Sequence, residues 1–249
     1  MNGPHKQKAV VMIPTYNERE NIEDLITEIL ALDVDMDLSV VVADDNSPDG
    51  TGEIVRKMEE ADKRVHALIR KKRRGRGAGG IDGFKEALKH SPDYVVEMDG
   101  DFSHQPKHIP ELLEACKDYD LVIGSRFIKG GKDADRNLVR RVITFFVRSF
   151  IRRNFRIPVR DVSSGFRCFK RKVLDEIDLD DLISVNPSIV LEILYKAHLL
   201  GFTMKEVPIE FIDRTRGKTK LNFLILLDTL VMALLFKKRY TKDTVKRAA

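Results

Sequence analysis

Short apolar runs alternate with segments of helical spacing along the first half of the chain, and this alternation limits the possible folds most strongly. Residues 17–32 have the helical spacing, whereas the Gly-rich residues 75–80 and residues 161–169 are predicted as loops. The pattern predicts an α/β fold with a mostly parallel sheet and helices on both faces. The apolar runs typical of buried strands lie at residues 8–13, 38–45, 65–70, 94–99 and 120–126.

Polar clusters follow four of these predicted strands directly. They read PTYNE after the first, DDNSPDG after the second, DGD after the fourth and GSR after the fifth. In parallel α/β sheets, ligands bind outside the carboxyl ends of the strands. The sequence therefore predicts one binding site assembled from separated segments.

Asp99 and Asp101 stand one residue apart at the end of the fourth strand. Residues i and i+2 of an extended chain point to the same side, and two close carboxylates repel unless a cation lies between them. Carboxylate oxygens suit Mg²⁺ or Mn²⁺. The alternative interpretation is a solvated turn rich in Asp and Gly.

Two further clusters each allow two interpretations. Asp44 and Asp45 fit an Asx-type turn, and a carboxylate there can also accept a hydrogen bond from a nucleobase or ribose. In residues 71–80, backbone amides beside Arg73, Arg74 and Arg76 suit a pyrophosphate, although the P-loop pattern is absent. A flexible solvated basic loop is the alternative there.

Composition narrows the class of protein. The chain is 43% apolar and carries a net charge of +5, so it can bury a core and has a polar, basic surface. Cys116 and Cys168 form no disulfide framework and no metal-ligand spacing. No signal peptide is apparent at the start. Residues 221–236 contain Asp228 and fall short of the ~20 apolar residues of a spanning helix, which predicts an amphipathic or docking helix.

The segment 136–160 mixes seven Arg before Pro158 with Phe145, Phe146, Phe150 and Ile151. A basic amphipathic helix with aromatic residues is typical of a membrane surface. The terminal apolar helix and the KKRYTKDTVKR segment after it would add a second contact, with anionic head groups as partners. A solvated helix face and a nucleic-acid-binding surface are the alternatives.

Taken together, the motifs resemble the GT-A, family 2 glycosyltransferases, and most specifically the dolichol-phosphate mannosyltransferase group. The resemblance runs from about residue 10 to residue 221, with the motifs in family order. It implies a GT-A, Rossmann-like fold. The motifs are PTYNERENI, VVADDNSPDGT, MDGDFSHQP, GSRFIKGG, DVSSGFRCF, EVPIEF and RTRGKTKL.

The resemblance also implies roles for individual residues. Asp99 and Asp101 match the family's Asp-x-Asp motif, in which the second Asp binds the metal that bridges the donor diphosphate. Ser103 stands where relatives often carry Gln as another metal ligand. The positions matching the donor nucleotide site are Pro14, Tyr16, Glu18, Asp44, Asp45, Asp99, Gly100 and Asp101.

On the acceptor side, Arg126 and one of Arg140 or Arg141 fall where relatives hold the lipid phosphate, and Ser164 lies in a nearby loop. Arg214 and Lys220 match a mobile basic loop that closes on the donor phosphates. The implied catalytic set is therefore Asp101, Arg126, Arg214 and Lys220.

The chain departs from the family pattern at two positions. Arg76 replaces a small apolar residue between glycines, and Gly100 is often Ala in relatives. Neither change removes a catalytic group. The chain has no Trp, so the Gln-x-x-Arg-Trp motif of processive polysaccharide synthases is absent.

The implied reaction passes mannose from GDP-mannose to a polyprenyl or dolichyl phosphate with inversion, using Mg²⁺ or Mn²⁺. A glucosyltransferase or another enzyme using a UDP-sugar is the alternative within the family, and a nucleic-acid-binding protein is the alternative outside it. We expect a catalytic domain over residues 1–220 and a membrane-surface contact over residues 221–249. We also expect peripheral attachment to the cytoplasmic face of a membrane, with an anchoring partner subunit as an option and no nucleic acid partner.

Overall fold

The computed structural model describes residues 6–71, 75–133, 138–212 and 223–248, without the side chains of 138–143, 223–227 and 246–248. Its main sheet has the strand order β3-β2-β1-β4-β7-β5-β8. The strands are β1 (Lys8–Thr15), β2 (Asp37–Asp44), β3 (Val65–Ile69), β4 (Tyr94–Glu97), β5 (Leu121–Ser125), β7 (Arg167–Lys170) and β8 (Met204–Pro208); β6 (Lys132–Asp133) and β9 (Glu210–Phe211) form a second, two-stranded sheet.

Helices follow most strands and cover both faces of the main sheet, as the sequence pattern predicts. Three-residue 3-10 turns at Pro106–His108 and Leu179–Asp181 complete the described elements. The helices are α1 (Ile22–Leu30), α2 (Thr51–Ala61), α3 (Arg76–Lys89), α4 (Ile109–Asp118), α5 (Leu138–Phe155), α6 (Arg171–Glu176), α7 (Ile189–Leu200), α8 (Phe223–Arg239) and α9 (Lys242–Ala248).

The sheet is parallel except at β7, which lies between β4 and β5 and runs antiparallel to both. The mostly parallel α/β sheet is confirmed. The sequence interpretation was wrong about residues 161–169, which it treated as one loop, because Arg167–Lys170 forms this strand. It was also wrong to place residues 75–80 in a loop, because α3 begins at Arg76 and residues 76–80 are therefore helical.

Alternating β-branched residues divide the core into two layers. Ala9, Val11 and Ile13 of β1 face α1 and α4, whereas Val10 and Met12 face α3 and α7. All five side chains are buried. A strand buried on both faces has no polar alternation, which explains the continuous apolar run in β1.

Helix α5 ends at Phe155, short of the predicted 136–160 segment, and Arg156 follows in the left-handed backbone region with φ of 52°. Ile151 and Phe155 anchor it in the core. Helices α8 and α9 pack beside α7. Among the described residues, no helix combines the length and apolar character needed to cross a bilayer.

Candidate functional site

The parallel strands β1, β2 and β4 are neighbours, so the polar residues that follow them meet at one edge of the sheet. Thr15 pairs in register with Asp44 at the ends of β1 and β2, and Met12 pairs with Glu97 of β4. The structure therefore brings together three of the four predicted polar clusters. The fourth, after β5, lies one strand further along because β7 is inserted between β4 and β5.

Asp44 and Asp45 are both buried and both hold the local backbone. Asp44 accepts hydrogen bonds from the Thr15 hydroxyl (3.1 Å) and from the backbone and hydroxyl of Ser47 (2.8 and 2.5 Å). Asp45 pairs with Arg70 and accepts from the Gly75 backbone N–H at 2.8 Å. Asp44 therefore stabilises the turn after β2 through the N–H three residues on, not two as in an Asx-turn. A nucleotide-binding role for either residue stays a prediction.

The residues after β1 form the wall beside this pair. Tyr16 is 36% exposed, whereas Glu18 is buried and accepts a hydrogen bond from Asn21 Nδ2 at 3.0 Å. A Cβ atom on Gly100 would lie 3.0 Å from Thr15 Cγ2. Glycine therefore lets the loop after β4 pack directly on the end of β1. Pro14, the last predicted residue of this wall, lies within β1 opposite Ala43.

Asp101 is buried at 4% exposure and has a fixed orientation. Its Oδ1 accepts from the Ser103 backbone N–H at 3.0 Å and from the Ser103 hydroxyl at 2.6 Å. A carboxylate held in this way loses little rotamer freedom when it binds a ligand. Ser103, predicted as a metal ligand, is in direct contact with Asp101 and orients it.

Asp99 is more open than Asp101, with a side chain 35% exposed. Arg76 Nη2 lies 3.2 Å from Asp99 Oδ1, and the Asp99 backbone N–H donates to His104 Nδ1 at 3.0 Å. Burial lowers the pKa of His104, although the nearby Asp99 and Asp101 partly oppose this. Since Nδ1 accepts a hydrogen bond, the buried imidazole is neutral and carries its proton on Nε2.

Among the described residues, no group of three or more His, Cys, Asp or Glu side chains lies close enough to hold a metal ion. Asp99 and Asp101 supply two carboxylates, with the Ser103 hydroxyl beside them. Hard oxygen donors of this kind fit Mg²⁺ or Mn²⁺, which usually keep several waters and bind substrate phosphates through the remaining positions. The residues present therefore fit an ion that shares its coordination with the substrate.

A buried charge cluster lies beneath the Asp pair. Arg76 Nη2 donates to Glu97 Oε1 at 2.9 Å, and Glu97 pairs across the strands with the fully buried Arg167. Burial opposes the charge on Arg76, but Glu97 and Asp99 outweigh it and raise its pKa. Burial lowers the pKa of Arg167 to about 10, although Glu97 and Asp161 oppose this. Arg76 therefore links the buried cluster to the open carboxylate of Asp99.

Arg126, the predicted acceptor-phosphate residue, is buried in an ion pair. Its Nε donates to Asp161 Oδ2 and its Nη2 donates to Asp161 Oδ1, both at 2.8 Å. The Nη2 also donates to the Ser163 hydroxyl at 2.8 Å. Its guanidinium carbon lies 5.0 Å and 5.1 Å from the ring centres of Phe127 and Phe211. Among the described residues, Nη1 is the guanidinium nitrogen left without a hydrogen-bond partner.

The other predicted site residues have different outcomes. Ser164 is buried, and its carbonyl accepts from Arg167 Nε at 2.6 Å, so it secures the loop before β7. Arg140 and Arg141 lie in the first turn of α5, but their side chains are outside the described part. Arg73, Arg74, Arg214 and Lys220 lie outside the described residues altogether.

The backbone amides of the glycine-rich segment are already used inside the protein. The Gly77 N–H donates to the Val185 carbonyl at 2.8 Å, and the Gly75 N–H donates to Asp45. These two amides are therefore not free to bind a pyrophosphate, and the start of α3 packs against residues 184–186.

Sequence reasoning missed the partners of the predicted residues. Arg70, Glu97, Asp161 and Arg167 are all buried charged side chains at this edge. Their sequence signal is weak, because Arg70 lies 25 residues from Asp45, Glu97 lies 21 from Arg76, and Asp161 lies 35 from Arg126. A charged residue inside an apolar run, such as Glu97 after VV, is the one local sign of a buried pair.

A family model described as Glycosyl transferase family 2 matches residues 10–178. An undecaprenyl-phosphate mannosyltransferase from Micrococcus luteus is 35% identical over 215 residues, which cover 86% of this chain and 88% of the relative. A polyprenol monophosphomannose synthase from Mycolicibacterium smegmatis is 34% identical over 87% of this chain and 82% of the relative. A dolichol-phosphate mannosyltransferase from Pyrococcus furiosus is 37% identical, over 86% of this chain and 59% of the relative.

Among solved structures, glucosyl-3-phosphoglycerate synthase from Mycobacterium tuberculosis in complex with UDP resembles the chain with a TM-score of 0.67 and 19% identity. The match covers 93% of this chain and 80% of that one. A complex of the same protein with Mn²⁺, UDP-glucose and phosphoglyceric acid also gives 0.67. At this identity the likeness concerns the fold alone.

Proposed function

The chain belongs to glycosyl transferase family 2 and is a glycosyltransferase, and we propose that it transfers mannose from GDP-mannose to a polyprenyl or dolichyl phosphate with inversion. The GT-A fold predicted from the motifs is confirmed. The observation that supports the substrates most directly is the set of three mannosyltransferase relatives, each aligned over at least 86% of this chain.

The donor diphosphate would bind at the carboxyl ends of β1, β2 and β4. Tyr16 is the exposed aromatic ring at that edge, and Asp99 is its open carboxylate. Asp99 and Asp101 would hold Mg²⁺ or Mn²⁺, with Ser103 beside them. The ion would supply charge stabilisation for the departing diphosphate. Arg214 and Lys220 would close over the same phosphates, as the family resemblance implies.

The acceptor phosphate would approach from the β5 side of the site. A phosphate monoester is already anionic near neutral pH, so it needs positioning and charge neutralisation more than deprotonation. Arg126 is held rigidly by Asp161 and Ser163 and keeps Nη1 for an incoming anion. Arg140 or Arg141 would provide a second cation, and Ser164 fixes the adjoining loop.

Residues 1–220 would form the catalytic domain and residues 221–249 a contact with the cytoplasmic face of a membrane, where the lipid acceptor resides. Phe145, Phe146 and Phe150 of α5 are exposed, and so are Val231, Leu234 and Leu235 of α8. Exposed apolar side chains next to basic ones suit an interfacial position. An anchoring partner subunit would bind at this same face.

The proposal predicts turnover of GDP-mannose with a short polyprenyl phosphate only when Mg²⁺ or Mn²⁺ is present. Asp101→Asn removes the oriented carboxylate, so we expect the transfer rate to fall roughly a hundredfold or more. Radiolabelled lipid extracted into organic solvent measures the product.

Asp35→Asn is the matched control, because Asp35 is exposed in the segment before β2, at the opposite end of that strand. Its rate should equal that of the parent. Faster transfer from UDP-glucose than from GDP-mannose would assign the chain to the glucosyl alternative. Equal rates for Asp101→Asn and the parent in the presence of chelator would contradict the metal-assisted mechanism.

A further inference from the structure

A cavity of about 380 Å³ lies at the C-terminal end of α5, and none of the candidate site residues named above lines it. It is lined by Ser149, Arg152, Arg153, Arg156 and Ile157. Positions 149, 152, 153 and 156 follow i, i+3, i+4, i+7 spacing, which places the first three on one face of the helix with Arg156 just beyond its end. Three guanidiniums therefore converge on one space.

The arginines at this cavity have no counter-charge among the described side chains. Among the residues that the structure describes, no ion pair involves Arg148, Arg152, Arg153 or Arg156. Within the described part of the chain, Arg152 Nε is buried without a hydrogen-bond partner. The guanidinium carbon of Arg148, one turn earlier, lies 3.9 Å from the ring centre of Phe127 and does not line this cavity. Burial lowers the pKa of Arg148, and the charges of Arg152 and Arg126 lower it further, while Asp161 opposes them. The buried cationic donor Arg152 Nε without an acceptor, beside two further arginines without ion pairs, indicates a missing anion.

The backbone adds an independent observation. Arg156 has φ of 52°, which is a left-handed backbone conformation. Glycine adopts it without steric strain, whereas a residue with a Cβ atom is strained there. The position directly after a helix is where glycine is most favoured. This chain places an arginine there, and its side chain lines the cavity.

We propose that this cavity is a second phosphate-binding site, separate from the candidate catalytic edge. The planar guanidinium fork matches the oxygens of a phosphate, and several forks around one cavity suit a phosphate monoester or diester. The negative end of the α5 dipole accounts for a basic residue in the last turn. It does not account for the buried Nε of Arg152, which needs an acceptor.

The phosphate has two possible sources, a lipid head group or free phosphate. Phe145 and Phe146 are 54% and 66% exposed on the same side of α5. At 1.5 Å of rise per residue, Phe146 lies about 9 Å along the helix from Arg152. Exposed aromatic side chains on the same helix as an arginine cluster suit an anionic lipid surface, so the test includes both sources.

The test compares the parent with Arg152→Gln/Arg153→Gln/Arg156→Gln in two binding assays. One follows inorganic phosphate by ³¹P line broadening, and the other follows sedimentation with phosphatidylcholine vesicles with and without phosphatidylglycerol. Each arginine near an anionic surface is worth about fivefold in binding, so we expect the triple variant to bind at least about tenfold more weakly. Loss in the phosphate assay assigns free phosphate; loss with anionic vesicles alone assigns a head group.

The charge-matched control is Arg56→Gln/Lys57→Gln/Lys63→Gln, three exposed cations on and after α2. Arg153→Gln/Arg156→Gln, which alters exposed side chains only, keeps the test valid if the triple variant is unstable. Equal weakening by the control and the triple variant would assign the effect to overall charge and overturn the proposal. Failure of the parent to bind either probe would overturn it as well. Neither assay depends on sugar transfer, so the result is independent of the proposed function.

Discussion

Arg76 shows how one substitution changes a family site. By the family resemblance it stands where a small apolar residue is usual, and its guanidinium spans the buried Glu97 and the more exposed Asp99. Its Nη1 and the Oε2 of Glu97 are both buried and find no hydrogen-bond partner in the described ranges. A cation placed beside a metal-binding carboxylate neutralises that carboxylate and repels the metal. If Asp99 holds the metal as proposed, Arg76 would weaken its attraction for the divalent ion.

Arg76→Met is expected to strengthen Mn²⁺ binding in the absence of nucleotide. At an effective dielectric constant near 20, removing one positive charge about 6 Å from a divalent site changes the binding free energy by more than 1 kcal/mol, so we expect at least about tenfold tighter binding. Electron paramagnetic resonance of free Mn²⁺ measures the dissociation constant.

The control for this prediction is a double variant that keeps the net charge of the buried cluster the same as in the parent. Arg76→Met leaves Glu97 with Arg167 alone, whereas Arg76→Met/Glu97→Gln removes one charge of each sign. Both variants should bind Mn²⁺ more tightly than the parent, and Asp99→Asn should bind it more weakly. Unchanged affinity in both Arg76 variants would show that the guanidinium does not compete with the metal.

At the level of single residues, the sequence located the Asp pair but not its surroundings. The motif spacing was enough to find Asp99 and Asp101, because their chemistry depends on neighbours in the chain. Arg126 was assigned to the acceptor phosphate, and its pair with Asp161 could not be predicted. That contact joins residues 35 positions apart and depends on how the loop before β7 folds back.

Among the elements, β7 and α3 were misassigned for opposite reasons. The strand Arg167–Lys170 has four residues and little alternation, and pairing with β4 and β5 defines it. Helix α3 begins with glycines, which have low helix propensity and therefore predicted a loop. Tertiary packing overrides that propensity, because a Cβ on Gly77 would lie 2.7 Å from the Ser184 carbonyl oxygen.

Two glycines of α3 give a matched test of this packing. Gly77→Ala would push the helix start from the backbone of residues 184–186, and we expect a loss of about 1–3 kcal/mol in unfolding free energy. A Cβ on Gly79 has no neighbour closer than 3.4 Å. Gly79→Ala should therefore be neutral or stabilising by up to about 1 kcal/mol. Urea denaturation compares the two, and equal losses would contradict the packing explanation.

Asp120 joins β5 to its neighbours and gives a pH-dependent test. It accepts from the Thr203 backbone and hydroxyl at 2.9 and 2.7 Å and pairs with Lys172 at 2.7 Å. Burial opposes its charge, but Lys172 and Thr203 outweigh burial and lower its pKa from 3.8 to about 2. Because the folded pKa is the lower one, the stabilisation is complete above 3.8 and is lost as the pH falls towards 2.

Asp120→Asn should therefore cost about 1–2 kcal/mol of unfolding free energy at pH 7, and the difference from the parent should shrink as the pH falls below the unfolded pKa. Urea denaturation at neutral and acidic pH measures both values. Asp175→Asn is the control, since Asp175 forms an exposed pair with Arg171 within α6 and surface pairs contribute little. A difference that persists unchanged in acid would contradict the ion-pair explanation.

At the scale of the whole molecule, the alternation of strands and helices was sufficient to predict the fold class. The apolar runs of β1, β4 and β5 are buried because helices cover both faces, and that requirement is visible in the sequence. The position of α5 was not predictable in the same way. Its apolar residues divide between the core, through Ile151 and Phe155, and an exposed face with Phe145 and Phe146. Composition alone does not separate the two faces.

The exposed face of α5 leads to the last prediction, which concerns binding of the whole protein to a bilayer. Burying a phenylalanine side chain in the interfacial region yields about 1.5–3 kcal/mol, so Phe145→Ser/Phe146→Ser should reduce vesicle partitioning by tenfold or more. Flotation with phosphatidylcholine and phosphatidylglycerol liposomes measures this. Val185→Ser, which alters an exposed apolar residue outside α5 and α8, should float like the parent. If the phenylalanine variant floats like the parent, α5 is not part of the membrane contact. The C-terminal segment 221–249 would then be the remaining candidate for that contact, and its deletion tests it separately.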